Sequence, residues 1–317
     1  MSQSDFVLLT GRSNPTLAHA IGKILKTEVS EPISLFSDGE IRVRIAPNLR
    51  RRMVYIIQST SMPVNDHLME LLFMIDAAKR ASAAEVTVVV PYYGYARQDR
   101  KEMSRVPISA SVVAALLSNA GADRIVTLDI HSEQQEGFTQ KPWDNLYGSY
   151  SVLPLIKKRN LTDLVVAAPD KGGMLKAAAY AKLLGVSKIA VVYKKRDVLL
   201  NNVSNTLAMI GDVKEKDVLI VDDMIDTAGT IVNAANYLKK KGARSIRVTA
   251  THGVFSGEAM KKVEDSAIEE MIITDTIAHR DEVKNNPKIT IVSVAPLLAE
   301  AIRRITTGES VSRDLIL

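Results

Sequence analysis

The sequence predicts an α/β protein made of two tandem units, each a mainly parallel sheet flanked by helices and related to the other by internal duplication. Three observations lead there. Short apolar, β-branched runs alternate with segments of helical period along all 317 residues, the pattern of parallel strands with helical crossovers. That length is enough for two domains, each with a core of its own. Finally, Gly121-Ala-Asp-Arg-Ile-Val-Thr-Leu-Asp-Ile-His131 and Gly242-Ala-Arg-Ser-Ile-Arg-Val-Thr-Ala-Thr-His252 share one plan: Gly-Ala, two polar residues, Ile, then a strand closing on His.

In chain order, Phe6 to Thr10 reads as a strand stopped by Gly11, and Asn14 to Leu25 as a helix. Glu31 to Ile45 reads as two extended pieces around the turn signal Asp38-Gly39. Met53 to Gln58 is a strand, and Asn65 to Arg80 a helix with Leu68, Leu71, Leu72 and Ile75 on one face. Val86 to Val90 is a buried strand leading into Pro91-Tyr-Tyr-Gly-Tyr-Ala-Arg-Gln-Asp-Arg-Lys101. Ser109 to Ala120 is helical, and Arg124 to Leu128 is a strand ending at Asp129-Ile-His131. A boundary is expected near Gly148, giving domains 1–148 and 149–294, with 295–317 joining the first. In the second domain Leu164 to Ala168 is a strand, Pro169-Asp-Lys-Gly-Gly173 opens a helix, and Ile189 to Tyr193 is a strand. The polar segment Lys194 to Asn205 reads as a mobile loop with cations at its base. Ile289 to Val294 is a strand, and Ala295 to Thr306 a helix that packs back on the first domain.

Composition narrows the function. With 46% hydrophobic and 24% charged residues this is an ordinary soluble globular chain. The net charge of +5 suits anionic substrates, but the basic residues form no long block of the nucleic-acid-binding kind. Without cysteine there is no disulfide framework and no thiolate chemistry. The start, Met-Ser-Gln-Ser-Asp, lacks a signal-peptide pattern, and the longest uncharged run, Val106 to Ala122, is short for a membrane span and broken by polar residues. A cytoplasmic protein is the expectation.

The chemistry concentrates in Asp217-Val-Leu-Ile-Val-Asp-Asp-Met-Ile-Asp-Thr-Ala-Gly-Thr-Ile231. The buried run Val218 to Val221 ends in acids and small residues, and a helix follows from Ile231 to Lys239. Asp226, Thr227, Ala228, Gly229 and Thr230 thus offer two hydroxyls and free N–H groups, a cradle for a phosphate monoester. Asp222 and Asp223 are acceptors for sugar hydroxyls or for the waters of a hydrated metal. The plain alternative makes these acids helix caps and turn formers. Other segments are individually weaker. Phe36-Ser-Asp-Gly-Glu40 is either a simple turn or an aromatic and two acids for a base and sugar. The charged loop Arg97 to Lys101 is either solvated or functional. Asp129 and His131 close a strand where a Mg²⁺ or its waters could sit, whereas the second copy has Ala250 at the position matched to Asp129. Asp170, before two glycines at a strand-to-helix junction, is an anion or metal position. Nothing in the histidine spacing supports zinc.

Taken together, Phe36 to Glu40, Tyr95 to Lys101, Asp129 to His131, Asp170 to Gly173, Lys194 to Arg196 and Asp222 to Thr230 resemble, in order and spacing, the motifs of the ribose-phosphate diphosphokinases, or phosphoribosyl pyrophosphate synthetases. The resemblance covers nearly the whole chain. It implies two type I phosphoribosyltransferase-like domains related by pseudo-symmetry and a homohexamer of the phosphate-activated, ADP-inhibited class. It implies transfer of the β,γ-diphosphoryl group of ATP to the anomeric hydroxyl of ribose 5-phosphate with Mg²⁺, feeding nucleotide, histidine and tryptophan biosynthesis. By the same resemblance Phe36, Asp38, Gly39, Glu40, Arg97 and Gln98 bind ATP, the first four reaching in from a neighbouring subunit. His131 and Asp170 hold metal. Asp222, Asp223, Asp226, Thr227, Ala228, Gly229 and Thr230 hold ribose 5-phosphate, and Lys194 and Arg196 act on the reacting phosphates, Arg196 also on the sugar phosphate. Arg50, Ser310 and Ser312 are the matching candidates for an allosteric phosphate and ADP site.

The chain departs from the expected pattern at Lys171, in Asp197 to Asn201, which lacks a proline, and at the C-terminus, which lacks a phenylalanine. Two rival readings are a transferase that consumes phosphoribosyl pyrophosphate and a non-catalytic regulatory relative. The nucleotide motifs Phe36 to Glu40 and Arg97-Gln98 and the cations Lys194 and Arg196 weigh against both.

Overall fold

The computed structural model describes residues 6–196 and 205–312. The expected mobile loop beyond Arg196 and the altered C-terminal end lie largely outside them. The chain forms two compact units: one runs through Gly148 and takes in Thr276–Ala278 and the segment from Ser293 onward, and the other comprises Ser149–Asp275 and His279–Val292.

The first unit contains β1 (Phe6–Thr10), α1 (Pro15–Leu25), β2 (Val29–Ser30), the hairpin strands β3 (Ile33–Leu35) and β4 (Ile41–Val43), β5 (Met53–Ile57), α2 (Val64–Arg80), β6 (Glu85–Val90), α3 (Ser109–Ala120), β7 (Arg124–Leu128) and β8 (Trp143–Leu146). Its main sheet is parallel throughout, in the order β2-β1-β5-β6-β7-β8. Local chemistry marks the ends. Asn14 Oδ1 accepts from Leu17 N at 3.3 Å and Pro15 opens α1, while Gly121 ends α3 at φ 113°, a left-handed cap that costs glycine nothing.

The second unit contains α4 (Ser149–Lys158), β9 (Val165–Ala168), α5 (Met174–Leu184), β10 (Ile189–Arg196), β11 (Asn205–Ile210), β12 (Asp217–Ile225), α6 (Gly229–Lys240), β13 (Ser245–Gly253), α7 (Ala259–Glu264), β14 (Glu270–Thr274), α8 (Asp281–Lys284) and β15 (Ile289–Val292). The strand order is β11-β10-β9-β12-β13-β14-β15, parallel except for β11. Because side chains alternate across a strand, Val218 and Ile220 enter the core on the α6 face and Leu219 and Val221 the core on the α5 face. That double burial is why the run reads as continuously apolar. The last helix, α9 (Ala295–Thr307), belongs to the first unit, where Thr306 Oγ1 meets the Tyr55 hydroxyl at 2.8 Å.

With β11 set aside, both sheets have the same topology: second strand, first, then third to sixth. The duplication is real, but its register differs from the one the Gly-Ala-to-His repeat predicts. By strand order β6 corresponds to β13, and β7 to β14. The matching of Gly121–His131 with Gly242–His252, and of Val86–Val90 with Val218–Val221, is therefore displaced by one strand. Both segments are a left-handed glycine after a helix followed by a strand, a pattern any βα unit can write. The inferred contrast between Asp129 and Ala250 falls with it, because Asp129 follows β7 as Asp275 follows β14. Two further boundaries move. Strand β12 continues through Asp222–Ile225, paired with β13 from Ala250 to Gly253, and Lys194 to Arg196 lie in β10, paired with β11, rather than in a loop.

Candidate active site

In the second unit the chain leaves β9 for β10 on one side and later places β12 on the other, so β9 and β12 flank a topological switch point. Open parallel sheets bind ligands at the carboxyl ends of the strands there. Asp170 follows β9, and Asp222 to Thr230 close β12 and open α6. Lys194, on the neighbouring β10, is exposed and belongs to the same edge; the side chain of Arg196, at the end of β10, lies outside the described set. Asp170 Oδ1 accepts from Gly173 N at 3.1 Å, and a Cβ on Gly172 would come within 3.2 Å of that same oxygen. Lys171 lies with Nζ 5.5 Å from the centroid of the Tyr193 ring.

The cradle is built by backbone. Ala228 adopts φ 59°, a left-handed conformation uncommon for a residue with a Cβ, and Gly229 starts α6 immediately after it. Thr227 and Thr230 are exposed beside this helix start. Asp222 and Asp223 precede it within the strand. Burial, then the hydrogen bond and charge of Asp223, push the Asp222 carboxyl up to about 8, while Lys176 of α5 opposes the rise. Lys176 lies in the first turn of α5, with no sequence signal to connect it to the acids.

In the first unit the equivalent switch point, between β1 and β5, is filled by protein. Gln58 and Glu70 are both fully buried there. Glu70 Oε2 accepts from Gln58 Nε2 at 2.8 Å and from Arg12 N at 2.9 Å, and Gln58 Oε1 accepts from Ser13 Oγ at 2.7 Å. The candidate nucleotide residues lie further along the edge instead. Arg97 and Gln98 follow β6, lining a cleft of about 190 Å³ with Val64, Tyr92, Gly94 and Tyr95, and His131 is exposed after β7. Gln135 Nε2 donates to Ala96 O at 2.9 Å, which ties the two loops together. Gln98 Oε1 accepts from Ser109 Oγ at 2.6 Å. Phe36 to Glu40 form the tip of the separate β3–β4 hairpin. Phe36 is 49% exposed with the Arg42 guanidinium 5.7 Å from its ring centroid, and Asp38 Oδ1 accepts from Glu40 N at 3.1 Å. Gly39 holds the turn at φ 92°. Arg50 is exposed, and the hydroxyls of Ser310 and Ser312 lie 3.2 Å apart, with Arg304 donating to Ser310 O at 2.9 Å.

A carboxylate such as Asp170 and an imidazole such as His131 are, by donor chemistry, each able to add one ligand to a hydrated Mg²⁺. Among the described residues no three His, Cys, Asp or Glu come together. Asp170 and His131 are both exposed.

Residues 6–121 match the family described as the N-terminal domain of ribose phosphate pyrophosphokinase, and residues 192–315 the phosphoribosyl synthetase-associated domain. The chain is 49% identical to the ribose-phosphate pyrophosphokinase of Vibrio cholerae over 310 residues, 97% of this chain and 98% of that one. This chain belongs to the ribose-phosphate pyrophosphokinase family. The ribose-phosphate pyrophosphokinase of Wolinella succinogenes is 47% identical, with 97% and 98% of the two chains covered. The crystal structure of phosphoribosylpyrophosphate synthetase from Mycobacterium smegmatis superposes with a TM-score of 0.89 at 38% identity, covering 96% of this chain and 99% of that one. A pyrophosphokinase of a ribose phosphate must handle a sugar phosphate and a diphosphoryl group, which suits an open cradle in one unit and basic and polar loops in the other.

Proposed function

We propose that the chain is a ribose-phosphate diphosphokinase: it transfers the β,γ-diphosphoryl group of ATP to the anomeric hydroxyl of D-ribose 5-phosphate, yielding 5-phospho-α-D-ribose 1-diphosphate and AMP. The observation that carries this reading is the near full-length identity to ribose-phosphate pyrophosphokinases, together with the Asp222–Thr230 cradle at a switch point. Thr227, Thr230 and the N–H groups of Ala228 and Gly229 receive the 5-phosphate, and Asp222, Asp223 and Asp226 accept from the ribose hydroxyls. Phe36, Asp38, Gly39 and Glu40 bind adenine, and Arg97 and Gln98 the nucleotide phosphates. His131 would hold Mg²⁺ with the ATP phosphates and Asp170 a second metal position near the ribose, and the metal would supply charge neutralisation on phosphate oxygens.

The anomeric oxygen forms a bond to the β-phosphorus as the bond from that phosphorus to the α,β-bridging oxygen breaks, AMP leaves, and the hydroxyl proton passes to solvent. The chain's part is to align the hydroxyl with the leaving oxygen and to balance charge on the transferring group. Lys194 and Arg196 do the latter. The filled switch point of the first unit supports assigning the sugar phosphate to the second. Phosphate and ADP act as effectors through Arg50, Ser310 and Ser312, and the enzyme works as a cytoplasmic homohexamer.

The test is to incubate the protein with ATP, Mg²⁺ and ribose 5-phosphate and to measure AMP. Ribose-dependent AMP with a new diphosphate ester is the expected result, and its absence sinks the assignment. Titrating phosphate and ADP in the same assay tests the effectors, and sedimentation velocity tests the hexamer.

A further inference from the structure

The carbonyls of the cradle share one neighbour. Ile225 O accepts from Val254 N at 2.9 Å and from Phe255 N at 3.1 Å, and Asp226 O accepts from Ser256 N at 3.1 Å. Thr227 O accepts from Lys262 Nζ at 3.2 Å. Three successive carbonyls are thus tied to the segment 254–262. In a trans peptide the C=O of one residue and the N–H of the next point in opposite directions. The N–H groups of Asp226, Thr227 and Ala228 are therefore turned away from that segment. The first two peptides are fixed by backbone. The third, which carries the N–H of Ala228, is fixed by a side chain and sits beside a left-handed alanine, where a peptide flip would relieve strain.

The segment that does the holding is itself braced. Phe255 adopts φ 48°, and its carbonyl accepts from Arg280 Nη2 at 2.9 Å. A Cβ on Gly253 would lie 2.6 Å from the Phe255 ring and 3.0 Å from the His279 ring, so the chain passes there only as glycine. Lys262 then extends from α7 to the one carbonyl that the backbone of the segment does not reach.

We infer that Lys262 is a positioning residue for the phosphate cradle: by holding the Thr227–Ala228 peptide in one orientation it aims the Ala228 N–H at the 5-phosphate of the sugar substrate. This rests on the reading of Asp222–Thr230 as the ribose 5-phosphate site. An ammonium–carbonyl bond is a charge-assisted hydrogen bond, and here it biases the peptide toward one orientation. Its loss weakens binding of the sugar phosphate while leaving ATP alone.

The experiment uses full-length Lys262→Gln and Lys262→Arg proteins, with ribose 5-phosphate binding measured by calorimetry without ATP and steady-state kinetics in both substrates. Lys262→Gln is expected to weaken ribose 5-phosphate binding and raise its KM about tenfold. Turnover at saturation and KM for ATP stay within about twofold, and Lys262→Arg, which keeps a donor of similar reach, restores most of the affinity. The defect persists at about 0.5 M KCl, where simple attraction between an exposed lysine and a phosphate is screened. An unchanged ribose 5-phosphate affinity in Lys262→Gln overturns the inference. So does a defect that vanishes in salt, or one that raises both KM values together with a lowered Tm. Failure of the site assignment looks different: the unmodified protein itself then shows no calorimetric binding of ribose 5-phosphate.

Discussion

The backbone N–H of Asp223 donates to Oδ1 of Asp222 at 2.9 Å, and the two carboxyl groups also meet side chain to side chain near the end of β12. Burial makes a charged Asp222 costly, and the hydrogen bond and charge of Asp223 add to that cost. Asp222 is therefore raised from the ordinary 3.8 to about 8. The folded state then binds a proton that the unfolded chain releases, so this group makes stability fall as pH rises from about 4 to about 8, after which the slope ends. Asp222→Asn is expected to remove that decline and to have the higher Tm at about pH 8.5, at the cost of weaker ribose 5-phosphate binding. Thermal melts of both proteins between about pH 5 and 9 check it. Parallel curves would dismiss the shared proton.

At the opposite end of β12 a carboxylate is held in its charged form. Asp217 Oδ1 accepts from Arg244 Nε at 2.9 Å and Ser245 Oγ at 2.6 Å, and Oδ2 accepts from Thr162 N at 2.7 Å. These partners hold Asp217 well below the usual carboxylate range, the Arg244 bond first among them. Its stabilisation is present above the unfolded value near 3.8 and is lost as pH falls through the lower folded value. Asp217→Ala should cost about 2–3 kcal/mol in urea unfolding at neutral pH. Turnover should be kept, because this end of the strand is remote from the cradle.

Lys194 stands exposed on β10, paired with Leu207 of β11, so its position is fixed by a strand rather than by a free loop. Under the role proposed for Lys194, alanine there takes away a charge that balances the transferring group while leaving the strand. Turnover should fall by about two to three orders of magnitude, with smaller changes in either KM. Near-normal turnover in Lys194→Ala would reassign the role.

Much of this was legible in the sequence, for identifiable reasons. Val218 to Val221 read as a strand buried on both faces because a continuous apolar run suits double burial, and the acids, threonines and glycine after it mark the candidate ligand edge, with capping and turn formation as their plain alternative. What escaped depends on pairing. Asp222–Ile225 reads as loop by composition, yet it is strand because β13 runs beside it to Gly253. Lys194 to Arg196 became strand through an antiparallel partner that their own polarity hides. The polar strand β8, Trp143-Asp-Asn-Leu146, is recognisable only from its pairing with β7. The Gly-Ala-to-His repeat gives the duplication a register one strand off because a glycine cap followed by a strand recurs in both units, and only sheet order tells one strand from the next. Lys262 and Lys176 carry no motif at all; their relation to the cradle is set by how α7 and α5 pack.

The candidate nucleotide loop depends on a close backbone approach that the sequence shows only as a glycine among tyrosines. A Cβ on Gly94 would lie 2.4 Å from Thr60 O and 3.0 Å from Val64 Cγ1, and Gly94 N already donates to Thr60 Oγ1 at 2.6 Å. No rotamer relieves a clash with a backbone carbonyl, so Gly94→Ala must push Tyr95 to Gln98 away from the end of β5. We expect a loss of about 1–3 kcal/mol in stability and a several-fold rise in KM for ATP, with ribose 5-phosphate affinity retained. Gly137→Ala is the control, since a Cβ there meets nothing within 4 Å, and it should be neutral in both respects. If Gly94→Ala leaves Tm and the KM for ATP at their original values, the loop does not rest on Thr60, and Arg97 and Gln98 lose the support that this packing gives them.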